Sequence, residues 1–233
     1  MTTISANLQA VKSRILAACH AAGREAGAVS LLAVSKTWPA DCVREAASVG
    51  QRAFGENYVQ EGVTKIAEVA AAGVTGLEWH YIGPLQSNKT RPVAEHFAWV
   101  HSVERLKIAE RLAEQRPESL PPLNVCLQVN VSGEASKSGC APVDVAGLAR
   151  AVAALPRLKL RGLMAIPEPT DDEALLRSRF ATLRALRDQL NAGGLALDTL
   201  SMGMSHDLES AIAEGATIVR VGTAIFGERN YAT

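Results

Sequence analysis

The chain has 233 residues, with 24 Lys and Arg against 24 Asp and Glu, so its formal net charge is zero; 48% of it is hydrophobic and 21% charged. That length suits one α/β barrel, and a balanced charge gives neither nucleic acid nor an anionic membrane anything in bulk to attract. The start, MTTISANLQAVKSR, lacks a basic stretch followed by an apolar run, and no segment approaches the ~20 apolar residues of a membrane span, so a cytoplasmic protein with no nucleic-acid and no membrane partner is expected.

The first element is helical, with Leu8, Val11, Ile15, Ala18 and Ala22 recurring every three or four residues until Gly23 and Gly27 break the pattern. Short apolar, β-prone runs follow at residues 31–34, 52–55, 79–82, 99–103, 125–131, 160–166, 199–202 and 218–221. Helix-like stretches separate them at 39–49, 58–72, 86–95, 104–115, 142–154 and 172–190, with a shorter one at 207–214. In the sixth, Leu176, Phe180, Leu183, Leu186 and Leu190 make one apolar stripe that ends before Gly193. Strand and helix alternate at roughly one pair per 25 to 30 residues, which predicts a (β/α)8 TIM barrel with an extra N-terminal helix, a single domain over residues 1–233. A doubly wound open sheet is the alternative, disfavoured because the turn Ser35-Lys36-Thr37-Trp38-Pro39 has none of the glycines that receive a nucleotide. In either architecture the functional face holds the carboxyl ends of the strands.

Candidate chemistry gathers at that face. Cys19, Cys42, Cys126 and Cys140 form no CxxC pair, and the histidines no HExxH-type pattern, so reduced thiols and no metal site are expected. Lys36 closes the first run, LLAVSK, with the parity of Leu32 and Val34, where partial desolvation favours a neutral amine able to condense with an aldehyde; a snorkelling surface lysine is the plainer reading of that segment alone. At the other end, LSMGMS (residues 200–205) and VRVGTA (residues 219–224) end the seventh and eighth runs, the barrel position that commonly binds phosphate. There Ser201, Ser205 and Thr223 offer hydroxyls and Gly222 a close backbone approach, against the alternative of a glycine-rich turn with ordinary caps. Arg220 is a permanent cation inside the apolar run TIVRVG. Either a buried carboxylate pairs with it, or it faces the pyridine nitrogen of pyridoxal phosphate, where an Arg makes the ring a weaker electron sink than an Asp does. Asn57, after the second run, borders the same mouth; Met164 packs beneath it or is plain core, and Lys137 is a further amine or phosphate contact or an exposed lysine.

Taken together, LLAVSKTWP, FGENYVQE, WHYIGPLQSNK, VNVSGEASKSG, GLMAI, LSMGMSHDLESAI and GATIVRVGTAIFG run in order from residue 31 to residue 227. In these segments the chain resembles the pyridoxal phosphate homeostasis proteins, the YggS/PROSC family of fold-type III barrels related to the alanine racemase N-terminal barrel. The resemblance implies an imine lysine at Lys36, phosphate contacts from Ser201, Gly222 and Thr223, and Arg220 at the pyridine nitrogen. It also implies a carrier or regulator of the cofactor, acting on vitamin B6 and amino-acid homeostasis without fast turnover, with pyridoxal-phosphate-dependent apo-enzymes as recipients. The sequence ends at Thr233, shortly after the eighth run, so the extra β domain of the racemases is expected to be absent and the chain to be a monomer. Two other functions stay open: an amino-acid racemase working with one base, and a Schiff-base lyase using Lys36 on a phosphorylated carbonyl substrate.

Overall fold

In the computed structural model, which describes residues 3–134 and 138–228, the chain opens with helix α1 (Ile4–Ala21), where the Thr3 hydroxyl accepts from the Ala6 N–H at 3.2 Å. Its apolar stripe, Leu8, Val11, Ile15, Ala18 and Cys19, is buried, and Gly23 ends the helix at φ +65°, a conformation that disfavours residues with a Cβ. Strand and helix then alternate: β1 (Ser30–Val34), α2 (Ala40–Ser48), β2 (Ala53–Glu56), α3 (Val59–Ala71), β3 (Glu78–Tyr81), α4 (Thr90–His96), β4 (Trp99–Val103), α5 (Leu106–Gln115) and β5 (Leu123–Gln128). The series continues with α6 (Val145–Ala153), β6 (Leu158–Met164), α7 (Glu173–Ala192), β7 (Thr199–Ser201), α8 (Leu208–Ala213), β8 (Ile218–Val221) and α9 (Thr223–Phe226).

The eight strands pair in parallel in chain order, and β1 pairs with β8 through Ser30 opposite Ile218 and Leu32 opposite Arg220. That last pairing closes the barrel and excludes the open sheet. Alternation divides each strand between two environments. On β1, Ala33 joins the core between barrel and helices, whereas Leu32 and Val34 pack inside with Ile82 and Ile218. Trp99, Cys126 and Met164 form another interior cluster. The extra helix has a structural use: α9 is one turn long, and α1 packs against α9, α8 and α2, covering the side of the ring that α9 leaves open. Side chains fix it there, with the Asn7 amide donating to the Ile225 carbonyl at 2.8 Å and Arg14 pairing with Glu209.

The boundaries differ from the sequence expectation in ways with local causes. The fifth run was expected to continue to Val131, but β5 stops at Gln128 because Val129 bridges Cys140 and the chain folds back across the strand end. The stretch 86–95 opens as a tight 3₁₀ turn, Ser87–Lys89, before α4 begins. Helix α9 is too short to leave a periodic signal and was not expected.

Candidate functional site

A cavity of ≈ 190 Å³ opens at the carboxyl ends of the strands, lined by Lys36, Asn57, Ser205, Arg220, Gly222 and Thr223 together with Val34, Ile82, Ile166, Met204 and His206. Six of the eight residues named from sequence therefore share one wall-to-wall space. The other two lie outside its lining. Ser201 is wholly buried at the end of β7, and Met164 is wholly buried beside Trp99 and Cys126. Lys137 lies outside the described residues.

Lys36 sits two residues past β1, on a turn held from three directions. The Lys65 ammonium donates to the Ser35 carbonyl at 2.8 Å, the Ser35 hydroxyl donates to Glu56 Oε1 at 2.6 Å, and the Thr37 N–H donates to Glu61 Oε1. Lys65 also pairs with Glu56 at 2.7 Å and with Glu61 at 2.9 Å, so a buried ion-pair cluster clamps both peptides flanking Lys36. Thr37 takes φ +68°, an unusual conformation for a β-branched residue, and the clamp is what holds it.

The walls on either side of Lys36 are fixed by close packing. The Tyr81 hydroxyl lies 3.1 Å from the Asn57 carbonyl and 2.9 Å from the Pro84 carbonyl, its one proton shared between them, and a Cβ on Gly83 would lie 2.1 Å from the Asn57 carbonyl oxygen. With its backbone so placed, Asn57 keeps a buried side-chain oxygen, Oδ1, that has no partner among the described residues. Gly222 lies so close to β1 that a Cβ there would come within 3.1 Å of the Val34 carbonyl oxygen.

Arg220 is 4% exposed and lines the cavity from β8. Its guanidinium donates to Ser201 Oγ at 2.8 Å and to the Ala165 carbonyl at 2.9 Å, and among the described residues no carboxylate lies within ion-pair distance of it. The carboxylate alternative raised from sequence is thus replaced by neutral acceptors. Burial pushes Arg220 down to about 10, still far enough above neutrality to keep it charged. Behind it the barrel interior is polar: His101 Nδ1 lies 2.7 Å from Ser201 Oγ, His101 Nε2 lies 2.8 Å from His80 Nδ1, and His80 Nε2 lies 2.9 Å from Glu78 Oε1.

Glu56, Glu61, Lys65, His80 and His101 were not singled out from sequence as site residues. Lys65 had a detectable signal, since it takes a buried position on α3 between Gly62 and Val69, the same anomaly that marked Arg220 in its strand. The histidines had only the parity of inward-facing strand positions, which any core residue shares.

These histidines make a testable prediction. Burial lowers the pKa of His80 below its ordinary 6.5, against the opposing pull of Glu78, and burial lowers that of His101 well below 6.5, helped by His80 and Arg220. As pH falls below about 6.5 the unfolded chain takes up protons that the folded one refuses, so stability falls by up to ~1.4 kcal/mol per pH unit per histidine. Glu56, whose carboxyl burial pushes up, works in the opposite sense. Urea midpoints at pH 8, 6.5 and 5.5 should therefore decline, and the decline should shrink in a His101→Gln variant; a flat profile in the unaltered protein contradicts the buried neutral pair.

The set fits the cofactor that the sequence resemblance implies. An amine at a strand end can meet an aldehyde, an orphaned amide and a guanidinium can meet ring substituents, and a wall of small residues can meet a phosphate. Known proteins bear on the same point. The family described as alanine racemase, N-terminal domain, matches residues 6–230. The pyridoxal phosphate homeostasis protein of Pseudomonas aeruginosa is 65% identical over 231 residues, covering 99% of this chain and 98% of that one. Its namesake in Escherichia coli K12 is 55% identical over 233 residues, covering 100% of this chain and 99% of that one. The solved structure of PipY from Synechococcus elongatus PCC7942 with pyridoxal phosphate bound superposes with a TM-score of 0.84 at 38% identity, covering 97% of this chain and 100% of that one.

Proposed function

The chain belongs to the family of the alanine racemase N-terminal domain, in its branch of pyridoxal phosphate homeostasis proteins, and from that premise we propose that it binds pyridoxal 5'-phosphate at the barrel mouth and carries or regulates the cofactor without fast substrate turnover. The observation that carries this reading is the convergence of Lys36, Asn57, Arg220, Gly222 and Thr223 on one cavity in a chain so similar to a relative solved with the cofactor bound.

Each residue then has a part. Lys36 Nζ is the amine that would hold the cofactor's aldehyde carbon, the carbonyl oxygen leaving as water. Asn57 offers its side-chain amide, whose buried oxygen has no partner among the described residues, to the ring edge. Ser205, Gly222 and Thr223 receive the phosphate through hydroxyl and backbone N–H groups. Ser201 acts through Arg220, which it holds at 2.8 Å, and Met164 supports the floor from the cluster beneath. Bound here, the cofactor supplies a reactive aldehyde and an electron-withdrawing ring. Arg220 would limit the second, because a guanidinium can give the pyridine nitrogen a hydrogen bond where a carboxylic acid would give it a proton. The same reading takes residues 1–233 as one cofactor-binding unit, a cytoplasmic monomer that hands the cofactor to pyridoxal-phosphate-dependent apo-enzymes. No helix among the described residues is long and apolar enough to cross a membrane.

Two measurements test the proposal. Arg220→Ala should weaken cofactor affinity by roughly tenfold or more and shift the absorption band, since a charged buried donor is removed; unchanged affinity and spectrum contradict the ring contact. Loaded protein incubated with amino acids in deuterium oxide should show no α-proton exchange at enzymatic rates, and rapid exchange dependent on Lys36 would replace the carrier with a racemase.

A further inference from the structure

Arg220 is held by more than its immediate neighbours. From the guanidinium a continuous line of hydrogen bonds runs through the barrel interior: Arg220 to Ser201 at 2.8 Å, Ser201 to His101 at 2.7 Å, His101 to His80 at 2.8 Å, and His80 to Glu78 at 2.9 Å. The line starts at the cofactor mouth and ends at the first residue of β3, on the opposite rim, where the Glu78 side chain is half exposed.

The two ends fix its direction. A guanidinium only donates and an ionised carboxylate only accepts. The hydrogen bond from His80 keeps Glu78 below the usual carboxylate range, so it is ionised at neutral pH. His80 must therefore carry its proton on Nε2 and, being neutral, accept on Nδ1. That obliges His101 to donate from Nε2 and accept on Nδ1. Ser201 in turn donates its single hydroxyl proton to His101 and turns its lone pairs to Arg220. No other arrangement of protons on two neutral imidazoles satisfies all four links.

We propose that Glu78, His80 and His101 are positioning residues for Arg220, forming a one-way relay that holds the Ser201 hydroxyl as an acceptor and so fixes the guanidinium at the cofactor ring. The arrangement also answers how a buried cation is compensated at a site that excludes a carboxylate. A carboxylate beside Arg220 would compete with the ring nitrogen for its N–H groups. Asp207 supports the charge on Arg220 through space, and the relay to Glu78 keeps the Ser201 lone pairs turned to the guanidinium. The inference rests on the reading that Arg220 faces the ring, and the tests separate the two.

The relay is read directly from the histidine ring nitrogens by ¹⁵N–¹H correlation on the full chain at pH 7.5. Both rings should be neutral with the proton on Nε2; a proton on Nδ1 of either ring, or an imidazolium, overturns the relay. Its role in positioning is read from pyridoxal phosphate affinity in a mutant cycle. His101→Leu should weaken binding by about fivefold where Arg220 is present and by less than about twofold in the Arg220→Ala background. Glu78→Ala, on the half-exposed rim far from the cavity, should show the same dependence on Arg220 in smaller size, and it decides the matter if His101→Leu does not fold. Equal losses in both backgrounds mean a general structural role and overturn the proposal. If Arg220→Ala alone leaves affinity unchanged, the ring contact fails, and the relay stands or falls on the ring spectra.

Discussion

Replacing Lys36 with alanine should abolish covalent retention of pyridoxal phosphate completely while changing the stability of the apo-protein by about 1 kcal/mol or less. The two effects separate because of where the residue sits. Lys36 lies past the end of β1 on the turn that lines the cavity wall and is only partly buried there, so truncation disturbs little of the packed core. The turn that presents it is fixed by neighbours: Ser35 through its carbonyl and hydroxyl, Thr37 through its N–H. Removing the lysine side chain leaves those anchors in place. The cavity should then still admit the cofactor, held only by phosphate and ring contacts and lost on gel filtration. The check is a visible spectrum before and after desalting, alongside a urea melt. A variant that unfolds, or that retains the coloured species through desalting, contradicts the assigned role.

Lys65→Met should be far more damaging to the fold. Lys65 and Glu56 are 4% and 0% exposed at the side chain, and Lys65 alone bridges Glu56, Glu61 and the Ser35 carbonyl. Taking away the ammonium leaves Glu56 in the interior with a serine hydroxyl as its remaining donor, and its second oxygen already has no partner among the described residues. Breaking a buried pair in this way costs about 3–5 kcal/mol, which in a chain of this size lowers the melting temperature by roughly 6–20 °C. The loss has a predictable sign with pH. Burial already raises the Glu56 pKa, and removing Lys65 raises it further, so the variant is least unstable at low pH where Glu56 is protonated and loses stability as pH rises through that folded-state value. Adding Glu56→Gln to Lys65→Met should recover much of the deficit. Because the clamp also fixes the peptides around Lys36, the single variant should bind cofactor more weakly even where it is folded. A melting temperature unchanged within 2 °C of the unaltered protein would show that the cluster is dispensable.

The barrel was legible because its signal is repeated. Eight short β-prone runs separated by amphipathic stretches leave few other topologies, and errors of one to three residues at single boundaries do not alter the count. The mouth residues were legible for a different reason. Lys36, Arg220 and the glycine-bearing segments at residues 200–205 and 219–224 each break the local pattern of their strand, and pattern breaks at strand ends are where function concentrates. What stayed hidden were residues that obey the pattern. His80 and His101 occupy inward positions where an apolar side chain would be expected to look much the same, and their partners are 21 and 100 residues away in the chain. Lys65 does break the apolar face of α3, but it also reads as an ordinary i,i+4 partner of Glu61, and only the folded chain shows that it reaches the Ser35 carbonyl. Ser201 was assigned to the phosphate with its neighbours in LSMGMS, yet in the folded chain its hydroxyl is engaged by Arg220 and His101. A sequence segment can name a loop without saying which of its hydroxyls faces the ligand.

The central claim is that Lys36 carries pyridoxal phosphate as an imine. The most direct measurement is the absorption spectrum of the purified protein after addition of the cofactor, followed by borohydride reduction and mass mapping of its peptides. A visible band that disappears on reduction, with the reduced pyridoxyl phosphate group on the peptide containing Lys36, is the predicted result. A protein that takes up no cofactor, or a label fixed on another lysine with Lys36 unmodified, would contradict it.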